Sequence, residues 1–216
     1  MIIIIDFGSQ TTHLISRRLR EISIDTKIVE PEDFFEETKN LEYEGIIFSG
    51  GPTSVYEAGA PTIDKKVFET GKPILGICYG EQIIAHVLDG EVKPGKKKEY
   101  GPATLTILKK SPLFDLPATS YQLPATINVW MNHGDELAKL PTGFETIGVT
   151  ETIPYAAIAD ESRKIYGVQY PPEVVHTQFG LQILKKFTVI CGLEPHDQPI
   201  SKEFVDKQIQ DIKDSV

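Results

Sequence analysis

The stretch Pro73-Ile74-Leu75-Gly76-Ile77-Cys78-Tyr79-Gly80-Glu81-Gln82 passes from a short apolar run into a helical pattern, with a cysteine set between two glycines at the junction. An apolar run without polar alternation suits a strand buried on both faces. The Gly-x-Cys-x-Gly spacing is that of a nucleophile elbow, where flanking glycines permit a turn sharp enough to lift the central side chain above the sheet edge. Backbone N–H groups and the dipole at the start of the helix are expected to favour a thiolate at Cys78 and to lower its pKa. Many free cysteines are simply small buried hydrophobes. The place between two glycines favours the nucleophile for Cys78, whereas Cys191, at the end of an apolar helical pattern, reads as core.

Working outward, the runs Ile2–Ile5, Thr26–Val29, Gly45–Phe48 and 73–77 read as strands. Helical patterns lie between or after them at 11–22, 63–69 and 82–88. Strands alternating with helices call for right-handed crossovers and a parallel sheet covered on both faces. The second half carries shorter strands at 103–108, 145–150, 155–159 and 165–169, with turns at 141–143 and 160–162, and a final helix at 178–190. The expected fold class is α/β: a three-layer domain with a mostly parallel central sheet and a small antiparallel portion. Lys96-Lys97-Lys98 follows Pro94-Gly95 and is expected in a solvated loop. The domain is expected over 1–191. Residues 192–216 read as a linker around Glu194-Pro195-His196-Asp197-Gln198-Pro199 and a charged helix at 201–214.

Composition removes several classes of function. The 216 residues hold 22 Lys+Arg against 31 Asp+Glu, a formal charge of −9, so nothing broad can neutralise phosphates, and neither a nucleic-acid nor a membrane partner is expected. No apolar run approaches the roughly 20 residues of a membrane span, and Met1–Ile5 meets Asp6 without a basic lead. Two cysteines support neither a disulfide framework nor a cysteine-built zinc site, so no metal is expected and a cytoplasmic setting is.

Ser49-Gly50-Gly51-Pro52 follows another buried strand, and an amide there together with that of Tyr79 could cradle an oxyanion. No P-loop or dinucleotide fingerprint is present. Taken in order, Ile5-Asp6-Phe7-Gly8-Ser9-Gln10, Ser49-Gly50-Gly51-Pro52, Gly76-Ile77-Cys78-Tyr79-Gly80, Val129-Trp130-Met131-Asn132-His133-Gly134-Asp135 and Gly167-Val168-Gln169-Tyr170 through Glu173-Val174-Val175-His176-Thr177 resemble the class I glutamine amidotransferase domain of GMP synthases. The resemblance implies a Cys-His-Glu triad that hydrolyses glutamine to glutamate and ammonia. The ammonia would pass to an ATP-dependent pyrophosphatase-type synthetase domain or subunit that aminates XMP. It implies Cys78 as nucleophile, Glu173 as triad carboxylate, and Gly51 and Tyr79 as oxyanion-hole amides. Gly50, Gln82, Asn132, His133 and Asp135 would shape the glutamine pocket. No cofactor is implied for this domain, since ATP and magnesium belong to the synthetase module, whose Ser-Gly-Gly-x-Asp-Ser loop this sequence lacks.

Two positions depart from the family pattern. Where the family has Phe-His-Pro-Glu, this chain has Tyr170-Pro171-Pro172-Glu173, so Pro171 occupies the place of the triad histidine. Where the family commonly has methionine after Tyr-Gly, this chain has Glu81. Proline carries no titratable group, and loss of a general acid–base costs about 10²–10⁴ in rate. Glu81, if turned inward, adds a like charge against a thiolate. An amidotransferase domain with impaired turnover is therefore the leading expectation. Three others stay open: a working glutaminase in which another group replaces the histidine, a non-catalytic glutamine-sensing or regulatory domain docking on a synthetase, and a cysteine hydrolase of unrelated substrate.

Overall fold

The computed structural model describes residues 1–119 and 122–196. Four apolar segments form the parallel strands β1 (Ile2–Ile5), β2 (Thr26–Val29), β3 (Gly45–Phe48) and β4 (Ile74–Ile77). They alternate with helices α1 (Thr12–Arg20) and α2 (Phe34–Thr38), and α3 (Tyr79–Val87) follows β4. The expected helix at 63–69 is a 3₁₀ helix, Lys65–Glu69, opened by the Asp64 side chain accepting from the Lys66 amide. Runs this short commonly close on the tighter i→i+3 pattern. The second half supplies β5 (Glu91–Ile107), β6 (Ala125–Lys139), β7 (Glu145–Val149), β8 (Ala157–Asp160), β9 (Ile165–Val168) and α4 (Gly180–Ile190).

The nine strands of the described residues share one sheet, in the order β2-β1-β3-β4-β9-β8-β7-β5-β6. The pairings from β2 to β9 are parallel and those from β9 to β6 antiparallel. The antiparallel portion is longer than the sequence suggested, because β5 and β6 run as one long ribbon. Lys96-Lys97-Lys98 is not in a loop but lies within β5, at an irregularity in its pairing with β6.

Alternation in β1 sorts the core into two layers. Ile2 and Ile4 pack with Ile15 and Leu19 of α1 and Ile183, Leu184 and Phe187 of α4 on one face. Ile3 and Ile5 pack with Ile83, Ile84 and Ala85 of α3, and with Phe34 and Val67, on the other. Side chains of period two on a sheet, met by helices of period 3.6 on both faces, give the three layers. At the C-terminal side, the His196 amide donates to the Ile22 carbonyl, which ties the chain back beside α1. The charged helix expected at 201–214 lies outside the described residues.

Candidate active site

The chain turns at Cys78 between β4 and α3. Its backbone has φ 52° and ψ −109°, a left-handed conformation that a side-chain-bearing residue adopts only when its surroundings enforce it. The Cys78 amide donates to the Val168 carbonyl at 2.8 Å, and the Cys78 carbonyl accepts from the Gln82 amide. The flanking glycines are required by close approach. A Cβ on Gly76 would stand 2.5 Å from the Gly80 carbonyl oxygen, and one on Gly80 would stand 2.4 Å from the Phe48 carbonyl oxygen. Helix α3 begins immediately after the cysteine, three residues earlier than its apolar pattern indicated.

Cys78 opens onto a cavity of about 700 Å³. Its wall brings together Gly50, Gly51, Tyr79, Gln82, Asn132, His133, Asp135 and Glu173, and Pro171 lines it as well. Gly51 packs so tightly on Tyr79 that a Cβ there would be 2.9 Å from the ring and 2.9 Å from the Phe7 carbonyl oxygen. The loop before α1 builds the adjoining wall. Asp6 Oδ1 accepts from the amides of Gly8 and Ser9 and from the Thr12 hydroxyl, while the Phe7 amide donates to Ser49 Oγ.

Two cavity residues were not read from the sequence as pocket formers. Gln82 Nε2 donates to Gln169 Oε1 at 3.2 Å and to the Asp135 carbonyl at 3.4 Å, and Gln169 is fully buried in the wall. The Tyr56 hydroxyl donates to Asp135 Oδ1 at 2.7 Å. Gln169 directly follows β9 within the glutamate motif and was open to detection there. Tyr56 lies in an irregular loop with no periodic signal.

The electrostatics oppose the thiolate expected at the elbow. Burial pushes the Cys78 thiol well above its usual range, and the carboxyls of Glu173 and Glu81 push it further. Glu173 is itself pushed up to about 6 by burial, against the hydrogen bonds of Thr11 and its own backbone amide. Its Oε2 is buried without a hydrogen-bond partner, and Arg18 Nε donates to its carbonyl at 3.1 Å. Glu81 points inward: it is fully buried, neither carboxyl oxygen has a hydrogen-bond partner, and burial raises its pKa well above the carboxylate range. An acid in such a place is held neutral more readily than charged.

Pro171 is buried, and its carbonyl accepts from the Thr177 hydroxyl at 2.7 Å. Four of the five histidines, His13, His86, His176 and His196, are exposed. His176 lies against the Trp130 ring, with centroids 4.7 Å apart. Only His133 is buried in the cavity wall, and its two ring nitrogens face protein oxygens, Nδ1 the Asp135 carbonyl at 3.0 Å and Nε2 the Glu99 carboxylate at 3.5 Å. Among the described residues no group of three or more His, Cys, Asp or Glu side chains could hold a metal ion, and no helix is long and apolar enough to cross a membrane.

Comparison with known proteins places this geometry in a family. The model of class-I glutamine amidotransferases matches residues 3–191. A glutamine-hydrolyzing GMP synthase of Aquifex aeolicus is 44% identical over 216 residues, covering 100% of this chain and 41% of that protein. The GMP synthase of Schizosaccharomyces pombe is 45% identical over 213 residues, covering 98% of this chain and 39% of that one. The chain thus spans about 40% of the length of these curated relatives. Among solved structures, a Thermoplasma acidophilum protein provisionally assigned to GMP synthase superposes with a TM-score of 0.77 at 34% identity, over 88% of this chain and 93% of that one. A glutamine amidotransferase from Thermotoga maritima shares the fold, with a TM-score of 0.61 at 22% identity over 80% of this chain and 76% of that one. An elbow cysteine, a buried glutamate and a shared cavity, carried on a matching sequence from strand β1 to the end of helix α4, make the chain a member of the class-I glutamine amidotransferase family.

Proposed function

We propose that this chain is the glutamine-binding amidotransferase unit of a GMP synthase and that its turnover is impaired by Pro171. In the reaction, the Cys78 sulfur attacks the carboxamide carbon of glutamine, and the oxyanion is held by the amides of Gly51 and Tyr79. Ammonia leaves with a proton, and water then cleaves the thioester to give glutamate. Each proton movement needs a group that gives and takes protons near neutral pH. Proline supplies none. The observation that carries the reading is that Cys78, Glu173 and Pro171 line one cavity with the residues matched to the glutamine pocket, while the other histidines are exposed or tied elsewhere. Gln82 and Asp135, in the same wall, would help to shape the glutamine pocket.

The ammonia would serve a separate ATP- and magnesium-dependent synthetase domain or subunit that aminates XMP in the cytoplasm. This part of the reading rests on the resemblance to GMP synthases, of which the chain spans about 40%. An intact pocket without its imidazole also suits a glutamine-sensing domain docked on such a partner. Mixing the chain with the synthetase module, ATP and XMP tests both. GMP formed from ammonium but not from glutamine is the expected result, and comparable rates from the two donors would overturn it. Calorimetric binding of glutamine without glutamate release would favour the sensor.

A further inference from the structure

We propose that Glu99 is a positioning residue of the cavity, acting through His133 to fix Asp135 in its wall. Only the binding arm of the test below rests on the assignment of the cavity to glutamine. The ladder between β5 and β6 lapses at this point. Pro94 lies opposite Asp135 and Glu99 opposite His133, so five steps along β5 match two along β6. Surplus residues of this kind interrupt regular backbone pairing, and the segment from His133 to Asp135 depends on side-chain anchors instead.

The anchors form a chain. The Thr152 hydroxyl donates to Glu99 Oε1. Glu99 Oε2 faces His133 Nε2 at 3.5 Å, and neither atom has a hydrogen-bond partner. His133 Nδ1 lies 3.0 Å from the Asp135 carbonyl oxygen. A carbonyl only accepts, so Nδ1 carries a hydrogen and the tautomer is fixed from that side. The ring is thus flanked by protein oxygens at both nitrogens, the Asp135 carbonyl at Nδ1 and the Glu99 carboxylate at Nε2, and Thr152 fixes that carboxylate in place. Asp135 is then held by His133 from its own strand and by Gln82 from α3, while Tyr56 holds its carboxylate. Without Glu99 the buried ring is free to turn, and the Asp135 carbonyl loses one of its two donors.

The test uses the full chain and the variants Glu99→Ala, Glu99→Gln, Thr152→Val and His133→Ala. In ¹⁵N-labelled protein, the His133 Nδ1–H signal should exchange slowly in the parent and in Glu99→Gln, and quickly in Glu99→Ala. Calorimetry should show glutamine affinity weakened on the order of tenfold in Glu99→Ala, the scale of one lost hydrogen bond at the Asp135 carbonyl. The same change should add nothing in a His133→Ala background. Unchanged Nδ1–H exchange in Glu99→Ala, or an equal loss of affinity with His133 absent, would overturn the proposal. Should the parent bind no glutamine, the reading of the cavity fails by itself, and the exchange measurement still decides the role of Glu99. Should Glu99→Ala not fold, Thr152→Val must show faster exchange in the same direction, and unchanged exchange there counts against the proposal.

Discussion

Gly167 lies directly against Glu81: a Cβ built on the glycine would stand 2.6 Å from the Glu81 Cγ. The elbow helix thus presses a carboxyl-bearing side chain onto bare backbone of β9, in a layer otherwise made of Ile83, Ile84, Ile158 and Ile165. Neither oxygen finds a hydrogen bond there, nor does the buried Tyr170 hydroxyl, whose own pKa rises through burial and then the charge of Glu81.

This arrangement predicts that Glu81→Met stabilises the fold. A buried carboxyl without partners costs about 1–3 kcal/mol even when neutral, so unfolding at pH 7 should move up by about 2–3 kcal/mol, roughly 5–10 °C. The sign with pH follows from linkage. The folded chain holds a proton that the unfolded chain gives up near its ordinary carboxyl pKa, so native stability falls as pH rises above that value. The advantage of Glu81→Met should therefore widen from pH 5 to pH 8 in urea titrations. A gap that narrows over this range would show that the carboxyl is paired in solution.

How much of this was legible in sequence depends on which forces were local. The parallel half was readable because Ile2–Ile5, Gly45–Phe48 and Ile74–Ile77 are unbroken apolar runs, buried on both faces. Strand β6 was read only as a motif, yet Ala125, Ile127, Val129, Met131 and His133 alternate inward along it. The length of β5 was hidden, since Pro94-Gly95 and the lysines after it read as a solvated loop, and only the pairing with β6 on either side of that irregularity joins the two stretches into one strand. Helix α2 has five residues, too few for a periodic signal. The polarity of the elbow was misread for a similar reason. A helix N-terminus is a local feature, whereas the burial and two carboxyls that raise the Cys78 pKa come from the tertiary fold.

The proposed impairment by Pro171 should be reversible in part. Pro171→His is expected to raise glutamate release by about 10²–10⁴, the usual contribution of a general acid–base. Combination with Glu81→Met should do no more than multiply the single effects, because the unpartnered, buried Glu81 is held neutral and sets no charge against the thiolate. Single-turnover glutamate release for the four proteins completes the cycle. A double variant well above the product would mean that Glu81 is charged in the folded chain and opposes the thiolate.

Alkylation of Cys78 by iodoacetamide reports the thiol directly, since the thiolate is the reacting form. The rate should stay low at pH 7 and rise only above the ordinary thiol range near pH 8.5. Glu173, with a pKa of about 6, is ionised through that interval and opposes loss of the thiol proton. Glu173→Gln should move the rise to lower pH. A rate already maximal at pH 7 in the parent would mean that the helix N-terminus outweighs both carboxyls.

Gly80 tests whether the elbow holds the site together or merely permits a turn. Its missing Cβ would stand 2.4 Å from the Phe48 carbonyl oxygen and 2.7 Å from the Phe48 Cβ, so any side chain forces α3 away from β3. The same displacement carries Cys78 away from Gly50, whose own Cβ position is only 3.9 Å from that of Cys78. Overpacking against backbone costs about 1–3 kcal/mol and sometimes more, and Gly80→Ala should reach the upper end because no side-chain rotation relieves it. Gly59→Ala is the control: its φ is +81° but nothing lies within 4 Å, so only the left-handed strain of about 1–2 kcal/mol applies. Urea unfolding should rank Gly80→Ala well below Gly59→Ala, and only the former should also lose affinity for glutamine. Equal midpoints would mean that α3 can lift from β3 at little cost, and the cavity geometry built on that contact would have to be abandoned.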